Sequence, residues 1–245
     1  MISFDKKVAF ITGGGTGIGL ATAQLVADHG ATIVLADIDQ KALDHAVVSL
    51  AAHSDRVLCL RMDVSDATAC TDAIERAAQT FGKIDFLVHC AGIYPSALVK
   101  DTSDADWLRL MNINLNSTFF LCRAVQKHLS EQGAIVLLGS LAGHRGSYSH
   151  AAYAATKGAT FSFARSLAME LAPHVRVNVV SPGIIKTAMT RDLLGEKGDL
   201  LLAATPLGRH GTVNDIAGTI AFLCSPLAAF ITGETIQVNG GLYMS

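Results

Sequence analysis

Charged side chains are scarce in this sequence. Asp, Glu, Lys and Arg make up only 16% of the 245 residues, against 50% apolar residues and a mean hydropathy of +0.38. Soluble domains carry roughly 25% charge, and disorder needs low hydrophobicity with high net charge. The shortage therefore excludes disorder and leaves a membrane protein or a soluble one with much buried helix. Paired cysteine motifs are also missing. Cys59, Cys70, Cys90, Cys122 and Cys224 are odd in number, widely spaced and without CxxC, which is how a reducing compartment uses cysteine as a small hydrophobe. The nine histidines form no HExxH and no paired His/Cys spacing, so no metal site is expected. With a net charge of −2 and scattered Lys and Arg, the chain has no electrostatic footprint for nucleic acid or an anionic membrane.

One long uncharged run is present, Val8 to Ala27, preceded by Lys6 and Lys7. Its length suits a signal or spanning segment. Its content does not: five glycines fall within Gly13 to Gly19, with Thr12, Thr16, Thr22 and Gln24 nearby. The second such run, from Ile216 to Gly233, is interrupted by Gly218, Ser225 and Pro226. Neither reads as a membrane span, and the expectation is a cytoplasmic protein with no membrane partner.

No linker, repeat or composition shift divides residues 1–245, so a single domain is expected. Short, continuously apolar runs at 8–11, 32–36, 57–62, 86–89, 134–138, 176–180 and 235–238 alternate with helical stretches at 17–29, 40–52, 66–81, 103–129, 151–171 and 213–223. Continuous rather than alternating apolarity is the mark of strands covered on both faces. The pattern predicts one α/β domain, a doubly wound parallel sheet of about seven strands with helices on both faces and ligands at the C-terminal rim.

After the first run comes TGGGTGIG, Thr12 to Gly19, with the spacing TGxxxGxG rather than GxGxxG. Glycines allow close backbone approach, and a helix start offers free N–H groups to a pyrophosphate. Alone, such a loop also fits a flexible turn. The second run ends at Asp37, eighteen residues beyond Gly19, where a carboxylate would accept bonds from both adenosine ribose hydroxyls and repel a 2′-phosphate. No Lys or Arg stands in the loop, and Thr16 occupies a position where one could, so NAD is preferred over NADP. Asp37 could instead cap a helix, although Asp39 could do so equally well. Asp63 ends the third run at the same rim.

Tyr153 and Lys157 lie four apart on one helix face, where an ammonium can stabilise a tyrosinate and lower a phenol pKa that starts near ~10. Ser140 ends the fifth strand thirteen residues before Tyr153. Together these residues resemble the short-chain dehydrogenase/reductase family from Val8 to Gly241. The loop TGGGTGIG, Asp63-Val64, the Ser140, Tyr153 and Lys157 set, Ser181-Pro182-Gly183 and ITGETIQVNGG follow its order and spacing, and Asn114 in NINLNS falls where its fourth catalytic residue lies. The resemblance implies a Rossmann-like fold and a CH-OH oxidoreductase using NAD. Tyr153 would exchange the hydroxyl proton as hydride passes between nicotinamide and carbinol carbon, and Ser140 would hold the substrate oxygen. Lys157 would bind the ribose and depress the Tyr153 pKa, while Asn114 would hold a water that relays protons. Gly13, Thr16, Gly17, Ile18, Gly19, Asp37, Asp63, Val64, Ala91, Gly92, Pro182, Gly183, Ile185 and Thr187, with Tyr153 and Lys157, would contact the cofactor.

The family commonly has NNAG after strand four, whereas this chain has His89-Cys90-Ala91-Gly92. His89 either replaces a bond of the lost amides or is a satisfied core histidine, and Cys90 reads as a buried, inert thiol. The segments 93–97, 141–150 and 184–210 should form the substrate pocket. In the last of these, Gly195 and Gly198 among charged residues suggest a mobile lid. His144 and His150, with Ser140 and Tyr153, are the expected substrate contacts. Their polarity points to a secondary alcohol or ketone such as a polyol, sugar or hydroxy acid. The rivals are reduction of a 3-oxoacyl thioester and a non-catalytic dinucleotide-sensing or scaffold protein. Excess apolar helix surface, taken with the resemblance, implies a homotetramer or homodimer.

Overall fold

The computed structural model describes residues 2–244. Among them, the strands are β1 Val8–Thr12, β2 Thr32–Asp37, β3 Val57–Arg61, β4 Ile84–His89, β5 Leu129–Leu138, β6 Val175–Pro182 and β7 Thr235–Val238. They form one parallel sheet in the order β3-β2-β1-β4-β5-β6-β7. Every apolar run read as a strand lies in this sheet. The helices are α1 Gly17–Asp28, α2 Gln40–Ser49, α3 Ala67–Phe81, α4 Asp104–Met111, α5 Ser117–Val125, α6 Leu141–Arg145, α7 Ala151–Leu171, α8 Arg191–Ala203 and α9 Val213–Cys224.

All of β1 and all of β4 are buried, because helices cover both faces of the sheet. On one face, Ala23 and Val26 of α1, Leu43 of α2 and Ile220 of α9 pack against Ile11, Ile33 and Val136. On the other, Ile74 of α3, Leu121 of α5 and Ala164 of α7 pack against Phe10, Leu87 and Val177. Each of the larger side chains contributes on the order of 1.5–3 kcal/mol by leaving water.

Two helical expectations are corrected. The single helix expected over 103–129 is broken: a π-helical turn, Asn112–Asn116, separates α4 from α5, and Leu129 already belongs to β5. The 184–210 segment is not simply a loop. It contains α8, with Gly195 and Gly198 inside the helix, and no residue of α8 is buried, so the helix lies over the surface. Its leucines cluster at Leu193–Leu194 and Leu200–Leu202 on either side of a charged, glycine-containing middle, so no continuous core stripe marked it as a helix.

Candidate active site

The strand register sets the site. Thr12 pairs with Ala36 of β2 on one side and with His89 of β4 on the other, so the residues that follow each strand emerge at one rim. The chain leaves β1 toward β2 and β3, then crosses to β4, which opens a crevice at the switch point. A cleft of about 400 Å³ lies there. The glycine loop contributes Gly13, Thr16, Gly17, Ile18 and Gly19 to its wall. The ends of β2 and β3 contribute Asp37, Asp63 and Val64, the segment after β4 contributes Ala91 and Gly92, and that after β6 contributes Thr187. Pro182, Gly183 and Ile185 are outside that lining: the Gly183 N–H donates to Val238 O at 3.0 Å, and Ile185 is buried against Gly211. Arg109, Ile113, Ala188 and Met189 line the cleft and were missed. The i, i+4 spacing of Arg109 and Ile113, just before Asn114, was the available signal.

The loop fits a dinucleotide. Thr16 precedes α1 without a side-chain capping bond, and the first turn holds no acid, so the amide donors and the positive end of the helix stay open to an anion. Gly13 has φ +61°, and a Cβ there would come 2.9 Å from Ala91 N. At Gly19 a Cβ would meet the Gly13 carbonyl oxygen at 2.2 Å, so neither position takes a side chain. At Gly17 it would meet no protein atom within 4 Å, and this is the space beside the cleft that the loop leaves free. Asp37 accepts from Gly15 N–H at 3.0 Å and from Asp39 N–H at 3.1 Å, whereas Asp39 is the residue that caps α2. Its carboxylate is thus held by the loop itself.

The Ser140, Tyr153, Lys157 and Asn114 set converges beside this cleft. The Ser140 hydroxyl hydrogen-bonds Tyr153 and accepts from Ala142 N–H at the start of α6. Lys157, one turn along α7, is buried with its Nζ 5.7 Å from the Tyr153 ring centre and donates to Leu138 O at 2.7 Å. A Cβ on Gly92 would lie 3.2 Å from Asn114 Oδ1 and 3.9 Å from Lys157 Nζ, so both groups sit directly behind the Gly92 wall, while Asn114, Ser140, Tyr153 and Lys157 are themselves outside the cleft lining. The π-helical turn buries Asn114 and aims its amide at Ile93, with Ile93 N–H donating to Oδ1 and Nδ2 donating to Ile93 O, both at 2.9 Å.

The electrostatics correct one expectation. Burial pushes the Tyr153 phenol up to about 12, and the Ser140 hydrogen bond only partly offsets this. The net shift is upward although the Lys157 ammonium lies close by, because desolvation outweighs proximity. Burial instead pulls Lys157 itself down to about 8, because removing an ammonium from water disfavours its charged form.

The two histidines expected to contact substrate separate. His150 stacks on Tyr94 at 4.0 Å, and Tyr94 meets Tyr153 edge-on at 4.7 Å, so Tyr94, which the sequence left unassigned, links that loop to the phenol. Neither histidine is in the cleft lining, and His144 lies apart from His150. The one-turn α6 after Ser140 carries its ring onto Phe161 at 4.3 Å and Tyr243 at 5.3 Å, where it packs rather than lines the cleft. Cys90 does line the cleft, and burial pushes its thiol up to about 12, which keeps it neutral.

The switch-point cleft thus has a glycine cradle that suits a dinucleotide, with a Ser-Tyr-Lys-Asn group beside it. A family model described as "Enoyl-(Acyl carrier protein) reductase" matches residues 13–243. The 3-oxoacyl-[acyl-carrier-protein] reductase FabG of Escherichia coli is 37% identical over 246 residues, 99% of this chain and 100% of that protein. The crystal structure of a short-chain dehydrogenase/reductase, glucose/ribitol dehydrogenase, from Brucella melitensis superposes with a TM-score of 0.97 at 47% identity, covering 100% of this chain and 99% of that one. A blue fluorescent protein from a metagenomic library, solved in complex with NADPH, has a TM-score of 0.93 at 33% identity over 99% of this chain and 100% of its own. The chain belongs to the short-chain dehydrogenase/reductase family, whose members act on carbonyl or CH-OH groups.

Proposed function

We propose that the protein interconverts a polar secondary alcohol and its ketone, with NAD(H) preferred over NADP(H). The observation that carries the cofactor choice is the Asp37 carboxylate, which the Gly15 amide holds in the cleft wall with no cation in the loop to offset it. The bound dinucleotide supplies or accepts the hydride. Tyr153 gives or takes the proton at its phenol oxygen, and Ser140, already bonded to that phenol, holds the substrate oxygen. Lys157, an ammonium at neutral pH, lies close enough to stabilise negative charge on Tyr153 and bind a ribose hydroxyl. Asn114 fixes Ile93 against the π-helical turn and so shapes the wall where the reacting carbon sits.

Polar groups around Tyr94 support a polyol, sugar or hydroxy acid. His150 stacks there, and Ser96 and Ser149 share a hydrogen bond at 2.9 Å. Residues 184–210, with α8 on the surface, serve as the substrate lid. Exposed Leu108, Phe119, Met169 and Phe230 support a homotetramer, and five free cysteines suit a cytoplasmic location.

Reduction of a 3-oxoacyl thioester is the second activity, favoured by the full-length match to FabG. One panel separates the two: polyols, sugars and hydroxy acids for oxidation, ketones and a 3-oxoacyl thioester for reduction, each with both dinucleotides and followed by nicotinamide absorbance. Fastest turnover of a polar alcohol or ketone with NAD(H) is expected. Fastest consumption of NADPH with the thioester would select the second activity, and no turnover of any pair would overturn both.

A further inference from the structure

We propose that His89 is a positioning residue, which ties the cofactor loop to the turn carrying Asn114 through a hydrogen-bonded chain whose protons all run one way. The inference rests on the role proposed above for Asn114, which lies on the turn where that chain ends.

The histidine ends β4 in register with Thr12 of β1 and is buried. Its Nδ1 lies 2.7 Å from Thr12 Oγ1 and its Nε2 2.9 Å from Ser117 Oγ, the first residue of α5. The proton of Ser117 is committed, since its hydroxyl donates to Ile113 O at 2.6 Å. Ser117 must then accept from His89, which places the imidazole proton on Nε2. Burial, with the Lys157 ammonium nearby, pulls His89 down to about 3, so the ring is neutral and Nδ1 is a bare acceptor. Thr12 donates to it and in turn accepts Ala91 N–H at 3.3 Å. The path runs from Ala91 N–H through Thr12, His89 and Ser117 to Ile113 O, with no donor or acceptor duplicated.

The ends of this path matter for the site. Ala91 borders the cleft beside Gly13, and Ile113 lines it one residue before Asn114. Asn114 clasps Ile93 two residues beyond Ala91, so the 89–93 segment is laced to the π-helical turn at two levels. An asparagine at 89 can place an atom where Nδ1 lies but has none at the Nε2 position, so it would keep Thr12 and lose Ser117. The imidazole is the group that spans both.

The decisive measurement on the whole chain is isotope-edited NMR of the imidazole nitrogens. His89 is expected to show a protonated Nε2, a bare Nδ1 and no titration between about pH 5 and pH 9. A doubly protonated ring or an Nδ1–H tautomer would overturn the proposal whether or not the enzyme turns over any substrate tried. In the kinetic arm, Ser117→Ala and His89→Asn should each lower kcat about tenfold while the NADH Kd stays within about twofold, and the double variant should be no worse than either single. Additive losses, or an unchanged kcat in Ser117→Ala, would count against it. Ser117→Ala removes one buried hydroxyl at little change in volume, so it keeps the test open should His89→Asn fold poorly. Turnover absent from the unmodified protein on every substrate would defeat the oxidoreductase activity proposed above, not the proton arrangement at His89.

Discussion

Replacing Asp37 by alanine removes a charge and two acceptors at the end of β2 without disturbing the strand. The carboxylate receives Gly15 N–H at 3.0 Å and Asp39 N–H at 3.1 Å. The exposed Asp39 amide can turn to water, while the half-buried Gly15 amide loses its partner, a stability cost of about 1 kcal/mol. Binding changes more. Losing the charge-assisted bonds to the ribose hydroxyls costs about 2 kcal/mol, or roughly thirtyfold in the NADH Kd. For NADPH the change has the opposite sign. Like charges ~5 Å apart at an effective dielectric of ~20 repel by about 3 kcal/mol, and that repulsion disappears. The NADH-to-NADPH selectivity should therefore swing by nearly four orders of magnitude, about 5 kcal/mol in all, read as Kd values from the fluorescence of each reduced dinucleotide. A thermal melt shifted by the small expected amount together with an unchanged selectivity would refute the ribose assignment, because the substitution would have acted and the cofactor not felt it.

Tyr153→Phe should lower kcat by about 10²–10⁴ while leaving NADH binding intact, measured by turnover and by fluorescence titration in parallel; full activity would remove the phenol from the proton path. The buried Lys157 has its own pH signature. Its pKa falls from 10.5 to about 8, so below pH 8 the fold carries the full cost of an enclosed ammonium, up to about 3 kcal/mol. From pH 8 to 10.5 the folded chain has released a proton the unfolded chain still holds, and stability rises with pH. Denaturant melts should show the wild type gaining on Lys157→Met across that window, and a constant difference would contradict the burial. His144→Ala should lower stability by about 2 kcal/mol through loss of its stacking on Phe161 and Tyr243 yet leave kcat/KM within about twofold on polar substrates. A large change in substrate preference would return His144 to the pocket.

The sheet was legible strand by strand, since each strand has a local apolar run whose composition already states that both its faces are covered, although β5 begins five residues before its run, at Leu129. The same holds for the cradle from Gly13 to Gly19, where small residues are a local demand of the turn. Spacing likewise brought Tyr153 and Lys157 to one helix face, and the strand-end position of Ser140 placed it at the same rim. What escaped was everything decided by a partner far along the chain. His144 and His150 look alike in sequence, but one turn of α6 sends the first onto Phe161 and leaves the second on Tyr94. The π-helical turn at Asn112–Asn116 has no composition of its own, and α8 on the surface shows no apolar stripe. Whether Lys157 would lower Tyr153 depended on how deeply the fold encloses both, and desolvation outweighed proximity. The sequence by itself determined the elements, their order and the rim at which chemistry gathers, because periodicity and glycine placement act over a few residues. Only the tertiary structure decided which polar groups meet, as with His89 between Thr12 and Ser117, seventy-seven and twenty-eight positions away, because hydrogen bonds and burial depend on distance in space.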